Sequence, residues 1–206
     1  MGGQNGRVTE AGILLLAFVL GSIPVANLIS TRTRGVDLRR QGTGTVSGTA
    51  LYRVAGFRWL VVGGILDVAK GAAGPLLAGS DRPTLAALAG GVAIAGHNWS
   101  PFLRGQGGRG IGPALGELGV NAWPGIPVII VPWLVGRALH ESAVGAFVGQ
   151  VLLTPVLALL DGGSGALVGG AVALPMLIKR ITSNGPPVAP GWRVYGHRLL
   201  FDRDPA

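Results

Sequence analysis

The run Ala11-Gly12-Ile13-Leu14-Leu15-Leu16-Ala17-Phe18-Val19-Leu20-Gly21-Ser22-Ile23-Pro24-Val25-Ala26-Asn27-Leu28-Ile29 decides how the rest of the chain is read. It carries no charge and is about as long as the roughly 20 residues a helix needs to cross a bilayer's hydrocarbon core. One arginine, Arg7, stands ahead of it, and no clear small-x-small cleavage site follows. The run continues into Gly21-Ser22-Ile23-Pro24 and then an arginine-rich loop, so it is read as a retained first helix and not as a signal peptide.

Working outward, further apolar stretches fall at roughly 12–31, 55–79, 83–102, 110–121, 123–138, 142–160 and 162–178. The fold expected is all-α, a polytopic membrane protein of about seven transmembrane helices, with six as the alternative. The fourth stretch is short and contains Glu117, so a partial or re-entrant helix is expected there, which needs protein or a water-filled cavity around it. Composition agrees: 49% hydrophobic and 13% charged residues, with mean hydropathy +0.52, lie well outside the roughly 25% charge of soluble domains. The 37 glycines are scattered through apolar runs, where small residues let helices approach closely.

Charge gives orientation. Arg32, Arg34, Arg39, Arg40 and Arg53 follow the first stretch, Arg104 and Arg109 the third, Arg137 the fifth, and Lys179 and Arg180 the seventh. With seven spans all four loops share one side, which the positive-inside rule makes cytoplasmic. The N-terminus is then outside and the C-terminus inside, in a cell (inner) membrane. Residues 1–182 are expected to form a single integral membrane domain, and 183–206 a polar cytoplasmic tail. The net charge of +8 does not point to nucleic acid, because the basic residues sit in short loops with no stripe or aromatic ladder. No cysteine is present and His97, His140 and His197 are far apart, so neither a metal nor a redox cofactor is called for.

Two loops carry candidate chemistry. The first, Gly35 to Thr49, combines arginines, threonines and glycines that suit a phosphate, as well as a plain basic connector. The second, Gly96-His97-Asn98-Trp99-Ser100-Pro101-Phe102-Leu103-Arg104-Gly105-Gln106-Gly107-Gly108-Arg109-Gly110, sets a histidine, an asparagine and a serine ahead of a glycine turn bearing arginine. That turn opens the next helix, whose unpaired amides and positive dipole end favour an anion. Its bland alternative is a hinge with an interfacial tryptophan. Asp67 and Lys70 lie within an apolar stretch at i, i+3 spacing, where each ionised group would cost about 2.5–3.5 kcal/mol unpaired. They are read as a pair facing a polar cavity or as a structural ion pair.

Together these stretches resemble the PlsY family, which transfers an acyl group from acyl phosphate to glycerol 3-phosphate. The likeness runs over roughly residues 12–181 and rests on Gly21-Ser22-Ile23-Pro24, Gly35, Asp37 and Arg39, on Asp67-Val68-Ala69-Lys70-Gly71, and above all on Gly96-His97-Asn98-Trp99-Ser100-Pro101-Phe102-Leu103 with its double glycine. The resemblance implies a membrane acyltransferase of phospholipid biosynthesis making lysophosphatidic acid without a cofactor. It implies Thr43, His97 and Arg109 in catalysis, and Arg39, Thr49, Arg53, Lys70, Asn98, Ser100, Gly107 and Gly108 around the phosphate. Asp37 and Asp67 support them.

The departures are specific. Thr43 replaces the family serine, Thr45 and Ala50 its two asparagines, and Arg109 its lysine, which keeps charge and changes geometry. In the third motif Ile178-Lys179-Arg180 remains, but Leu174 and Leu177 stand where a histidine and an asparagine are expected, and the family glutamate falls near Pro186. Two alternatives follow: a catalytically impaired paralogue that binds a phosphorylated metabolite or lipid headgroup, or a small membrane transporter using Asp67, Lys70 and Glu117. The His197 to Asp202 spacing matches the histidine-four-residues-aspartate pattern of thioester-dependent glycerol-phosphate acyltransferases and is read as chance. If the Thr43 hydroxyl stands in for the family serine, Thr43→Val lowers acyl transfer about tenfold or more, the loss expected for a hydrogen bond to a charged group. Initial rates at saturating donor check this, and an unchanged rate makes the hydroxyl dispensable.

Overall fold

Proline and glycine set where the helices break. The computed structural model describes residues 9–189 and 191–205, and these are helical throughout apart from loops and one isolated antiparallel bridge between Ser100 and Gln106. Helix α1 (Glu10–Ser22) stops before Pro24, and α2 (Val25–Arg34) resumes the same apolar run. The loop then leads to α3 (Gly48–Ala55) and α4 (Phe57–Ala78). Next come α5 (Pro83–Asn98), α6 (Ile111–Asn121) and α7 (Gly125–Ala138).

The last long element, α8 (Ser142–Thr182), is two helices. Asp161 and Gly162 leave helical geometry, Gly162 at φ 57°, a conformation that glycine adopts without penalty. Beyond that turn the chain doubles back: a Cβ on Gly169 would lie 2.7 Å from Thr154 Cα, so residues 163–182 run beside 142–160 as a hairpin. A short α9 (Trp192–Phe201) closes the chain. The seven apolar stretches of the sequence all fall on these helices, the first shared by α1 and α2 and the last two by the halves of α8. Three of them, Glu10–Arg34, Phe57–Ala78 and Ser142–Thr182, are long and apolar enough to cross a membrane, and Gly125–Ala138 is a shorter apolar helix. Helix α6, with 11 residues, spans about 16 Å, roughly half of a bilayer core.

Helix α5 is the centre of the bundle. On one side Ala87 and Ile94 pack with Ala114, Leu118, Ile129, Leu153, Leu157 and Met176. On the other, Leu85, Ala89 and Ala93 pack with Ile13, Ala17 and Ala78. A third cluster, Ala26, Leu38, Val46, Leu51 and Leu103, seats the first loop and α3. The outer faces stay apolar: Leu15, Ile65, Leu76 and Leu159 are between 64% and 87% exposed, as expected where lipid is the solvent.

Small residues set the interhelical distance. Helices α4 and α6 touch backbone to backbone, because a Cβ on Gly71 would run into the Pro113 carbonyl and one on Gly116 into that of Val68. Gly71→Ala should therefore destabilise the protein by about 1–3 kcal/mol, the usual cost of overpacking. Gly64→Ala on the same helix, where nothing lies within 4 Å, should not. Thermal unfolding in detergent separates the two; equal midpoints would show that α4 and α6 can part freely.

Candidate active site

The first polar loop is held by short local bonds. Gly35 ends α2 in the left-handed region at φ 68°. Asp37 then accepts from the Arg39 backbone N–H at 3.0 Å, and its carboxylate takes Arg39 Nε at 3.0 Å and Nη2 at 2.6 Å. Arg39 keeps the Asp37 carboxyl below the usual carboxylate range, chiefly through this side-chain hydrogen bond. The Leu38 N–H donates to Asn27 Oδ1 at 2.8 Å, which fixes the loop to α2. Thr43 donates to Thr45 at 3.1 Å, and Ser47 caps α3 by accepting from the Ala50 N–H. Thr49 and Arg53, one turn apart on α3, share a face.

The second loop is folded against the first. The Val46 N–H donates to the Gly107 carbonyl at 3.2 Å. Asn184, just past α8, clamps both: its Nδ2 donates to the carbonyls of Gly44 (3.1 Å) and Gly107 (2.9 Å), and its Oδ1 accepts from the Gly107 N–H (3.1 Å). Gly107 and Gly108 are buried, and a Cβ on either would strike the end of α5 at His97 and Asn98. Three basic loops, remote in sequence, thus meet at one end of the bundle.

Between them lies a cavity of about 540 Å³. Its wall carries the hydroxyls of Thr43, Thr45, Ser47, Thr49 and Ser142, the guanidinium groups of Arg53, Arg109 and Arg180, Gln41, Gln150, and one carboxylate, Asp202. Arg109 Nε lies 2.7 and 2.8 Å from the two oxygens of Asp202, and Nη2 is 3.4 Å from Ser183 Oγ. Arg180, 2% exposed, donates to the carbonyls of Leu199 (2.6 Å), Leu200 (2.8 Å) and Ala143 (2.8 Å). Three cationic and five hydroxyl-bearing residues line one space, a composition suited to a phosphate, although Arg180 Nε and Nη2 are already engaged by carbonyls.

Of the residues singled out in the sequence, Thr43, Thr49, Arg53 and Arg109 line this cavity together. Arg39 and Asp37 pair with each other and are not part of its wall. A second group lies behind the loops. His97 Nδ1 is 3.9 Å from Asp67, which pairs with Lys70 at 2.9 Å, and Lys70 also donates to the Ile23 carbonyl at 2.9 Å. Asn98, fully buried, donates to the Pro175 carbonyl at 2.9 Å, and Ser100, 1% exposed, to that of Ser22 at 2.6 Å. These bonds bind the end of α5 to α1 and α8.

Leu174 is 61% exposed on the outer face and Leu177 packs against the central core, so neither reaches the cavity wall. His197 Nδ1 donates to the Arg203 carbonyl (2.8 Å) and its ring packs on Phe201, while Asp202 turns to Arg109; the two form no dyad. Sequence reading missed Asn184, Gln150, Trp133 and Asp202. The first is a lone asparagine after a basic string, the next two lie inside apolar stretches, and Asp202, in the segment read as a tail, is marked only by the His197 to Asp202 spacing, which points to a different chemistry from the one it serves here.

Fold and cavity define a class: a helical membrane protein with a cationic, hydroxyl-lined cleft at one end of its bundle. Residues 11–185 match the family model described as glycerol-3-phosphate acyltransferase. The glycerol-3-phosphate acyltransferase of Synechococcus sp. (strain CC9902) is 35% identical over 84% of this chain and 88% of its own length. That of Aromatoleum aromaticum (strain DSM 19018 / LMG 30748 / EbN1) is 37% identical over 82% and 85%. In fold, the chain aligns with the crystal structure of PlsY (YgiH), an integral membrane glycerol 3-phosphate acyltransferase in its glycerol 3-phosphate form, at TM-score 0.73 and 22% identity over 83% of this chain and 88% of that one. The chain belongs to the glycerol-3-phosphate acyltransferase family.

Among the described residues, Asn184 is the one side chain that hydrogen-bonds to both loops from the end of α8. Asn184→Ala removes three hydrogen bonds, each worth about 1 kcal/mol net, and should cut affinity for any ligand of the cavity about tenfold or more while the bundle stays folded. Calorimetric titration with inorganic phosphate checks this; unaltered affinity would show that the loops hold their places without the clamp.

Proposed function

We propose that the chain is an acyltransferase that moves an acyl group from acyl phosphate to glycerol 3-phosphate, giving lysophosphatidic acid for phospholipid biosynthesis. Family membership supports the acceptor and the reaction class. The single structural observation that carries the reading is the 540 Å³ cavity, lined by Arg53, Arg109, Arg180 and five hydroxyl-bearing residues at the end of an apolar bundle. Such a site takes a phosphorylated, water-soluble acceptor on one side and a lipid-borne donor on the other.

The seven apolar stretches are read as seven membrane segments, with the short α6 counted as one of them and α8 as a hairpin. The gathered basic loops then lie on the cytoplasmic side of the cell membrane, with the N-terminus outside and the C-terminus inside. In this reading Arg53, Arg109 and Arg180 neutralise the phosphates of donor and acceptor, and Thr43 and Thr49 orient them. The acceptor hydroxyl attacks the acyl carbonyl, the new ester C–O bond forms as the bond to the phosphate oxygen breaks, and the departing phosphate takes the hydroxyl proton. Phosphate leaves readily, so positioning and charge neutralisation supply much of the rate. Asp67, Lys70, His97, Asn98 and Ser100 act from behind, holding the second loop and the α1–α2 break in place. With Asp67 and Lys70 paired to each other, the transporter alternative has no free intramembrane charges of theirs to use.

Purified protein in lipid, given acyl phosphate and radiolabelled glycerol 3-phosphate, should form lysophosphatidic acid, and acyl-thioester donors should give none. Product from thioesters alone would overturn the choice of donor. No product from either would overturn the activity.

A further inference from the structure

The segment after residue 185 lies outside the stretch that matches the family model, yet it supplies part of the cavity wall. Helix α9 is fixed to the end of α8 by two buried arginines. Arg180 donates to the carbonyls of Leu199 and Leu200, and Arg198, 3% exposed, donates to those of Pro186 (2.9 Å) and Gly185 (3.2 Å) and pairs with Asp204. Asp202 then ends α9 in the left-handed region at φ 57°, with its N–H bonded to the Arg198 carbonyl at 2.8 Å. The result is a carboxylate delivered to the cavity by a firmly seated element.

Among the described residues lining that cavity, Asp202 is the one carboxylate. This matters for a substrate with two chemically opposite ends. A phosphate accepts hydrogen bonds, and arginines only donate; a hydroxyl donates, and its strongest partner is an ionised carboxylate. Arg109 Nε lies against both Asp202 oxygens, but two carboxylate oxygens offer about four lone-pair sites, so Asp202 keeps acceptor capacity, and its side chain is 22% exposed. Arg109 and Asp202 side by side thus form a bipolar pair, a donor edge next to an acceptor.

We propose that Asp202 is a specificity-determining residue of the site: it accepts hydrogen bonds from the hydroxyl groups of the acceptor while the arginines hold its phosphate. This rests on the acyltransferase reading and deepens it. A site built to bond a hydroxyl discriminates against an analogue lacking one, because its own polar group is then left unpaired. The carboxylate therefore makes the cavity read a polyol phosphate and not phosphate alone.

The test compares glycerol 3-phosphate with n-propyl phosphate, which has the same charge and length and no hydroxyl, by calorimetric titration of the purified full chain. The native protein should prefer glycerol 3-phosphate about 10- to 100-fold, the range expected for a hydrogen bond to a charged group. Asp202→Asn should erase most of that preference by weakening glycerol 3-phosphate alone, and retained propyl phosphate binding shows that the cavity is intact. Asp202→Glu, which preserves the charge opposite Arg109 and shifts the carboxylate by one methylene, should keep part of it. The proposal falls if both ligands weaken alike in Asp202→Asn, if the preference persists in both variants, or if the native protein shows none. Acyl transfer by the native protein, measured in parallel, separates this from failure of the acyltransferase reading: transfer with no role for Asp202 overturns only the specificity claim.

Discussion

In a chain whose outer faces meet hydrocarbon, each polar group must find its partner inside the protein, and the structure is arranged around that constraint. The α1–α2 break is the clearest case. Pro24 interrupts the helical ladder, and the carbonyls of Ser22 and Ile23 accept from Ser100 and Lys70 instead. Lys70 is in turn neutralised by Asp67. Asn98, two residues from Ser100, ties the same turn to α8 at Pro175. A handful of buried polar bonds thus fixes the end of α5 in three directions, and the second basic loop starts from that fixed point.

The cavity is the consequence. With the second loop set by α5, the first is zipped to it by Val46 and Gly107, and Asn184 closes the seam from α8. Arg53, Arg109 and Arg180 come from three separate parts of the sequence and meet only because these loops do. Their mutual repulsion is moderated by Asp202 on Arg109 and by the carbonyls that Arg180 caps. Helix α9 therefore belongs to the site as well as to the outside of the bundle.

The helices were legible because a long apolar run admits little but a membrane helix, and all seven stretches fall on helices. Four of the residues read as contacting phosphate or reacting groups, Thr43, Thr49, Arg53 and Arg109, do share a cavity. The sequence could not reveal that His97, Asn98 and Ser100 turn inward, since a motif gives the order of side chains and not which face of a helix end they take. Nor could it show that positions 174 and 177 lie off the wall, because 174 faces outward only once residues 163–182 have folded back at Gly162. Asp202 was hidden for a different reason: the one spacing that marked it, from His197, pointed to a pairing the fold does not make, and nothing in the sequence ties it to Arg109, 93 residues away.

The most direct test of this account is an experimental structure of the protein with glycerol 3-phosphate bound. The account predicts the phosphate in the cavity between α3 and the start of α6, within hydrogen-bonding distance of at least two of Arg53, Arg109 and Arg180. A phosphate bound instead beside Lys70 and His97, with the cavity empty, would contradict it.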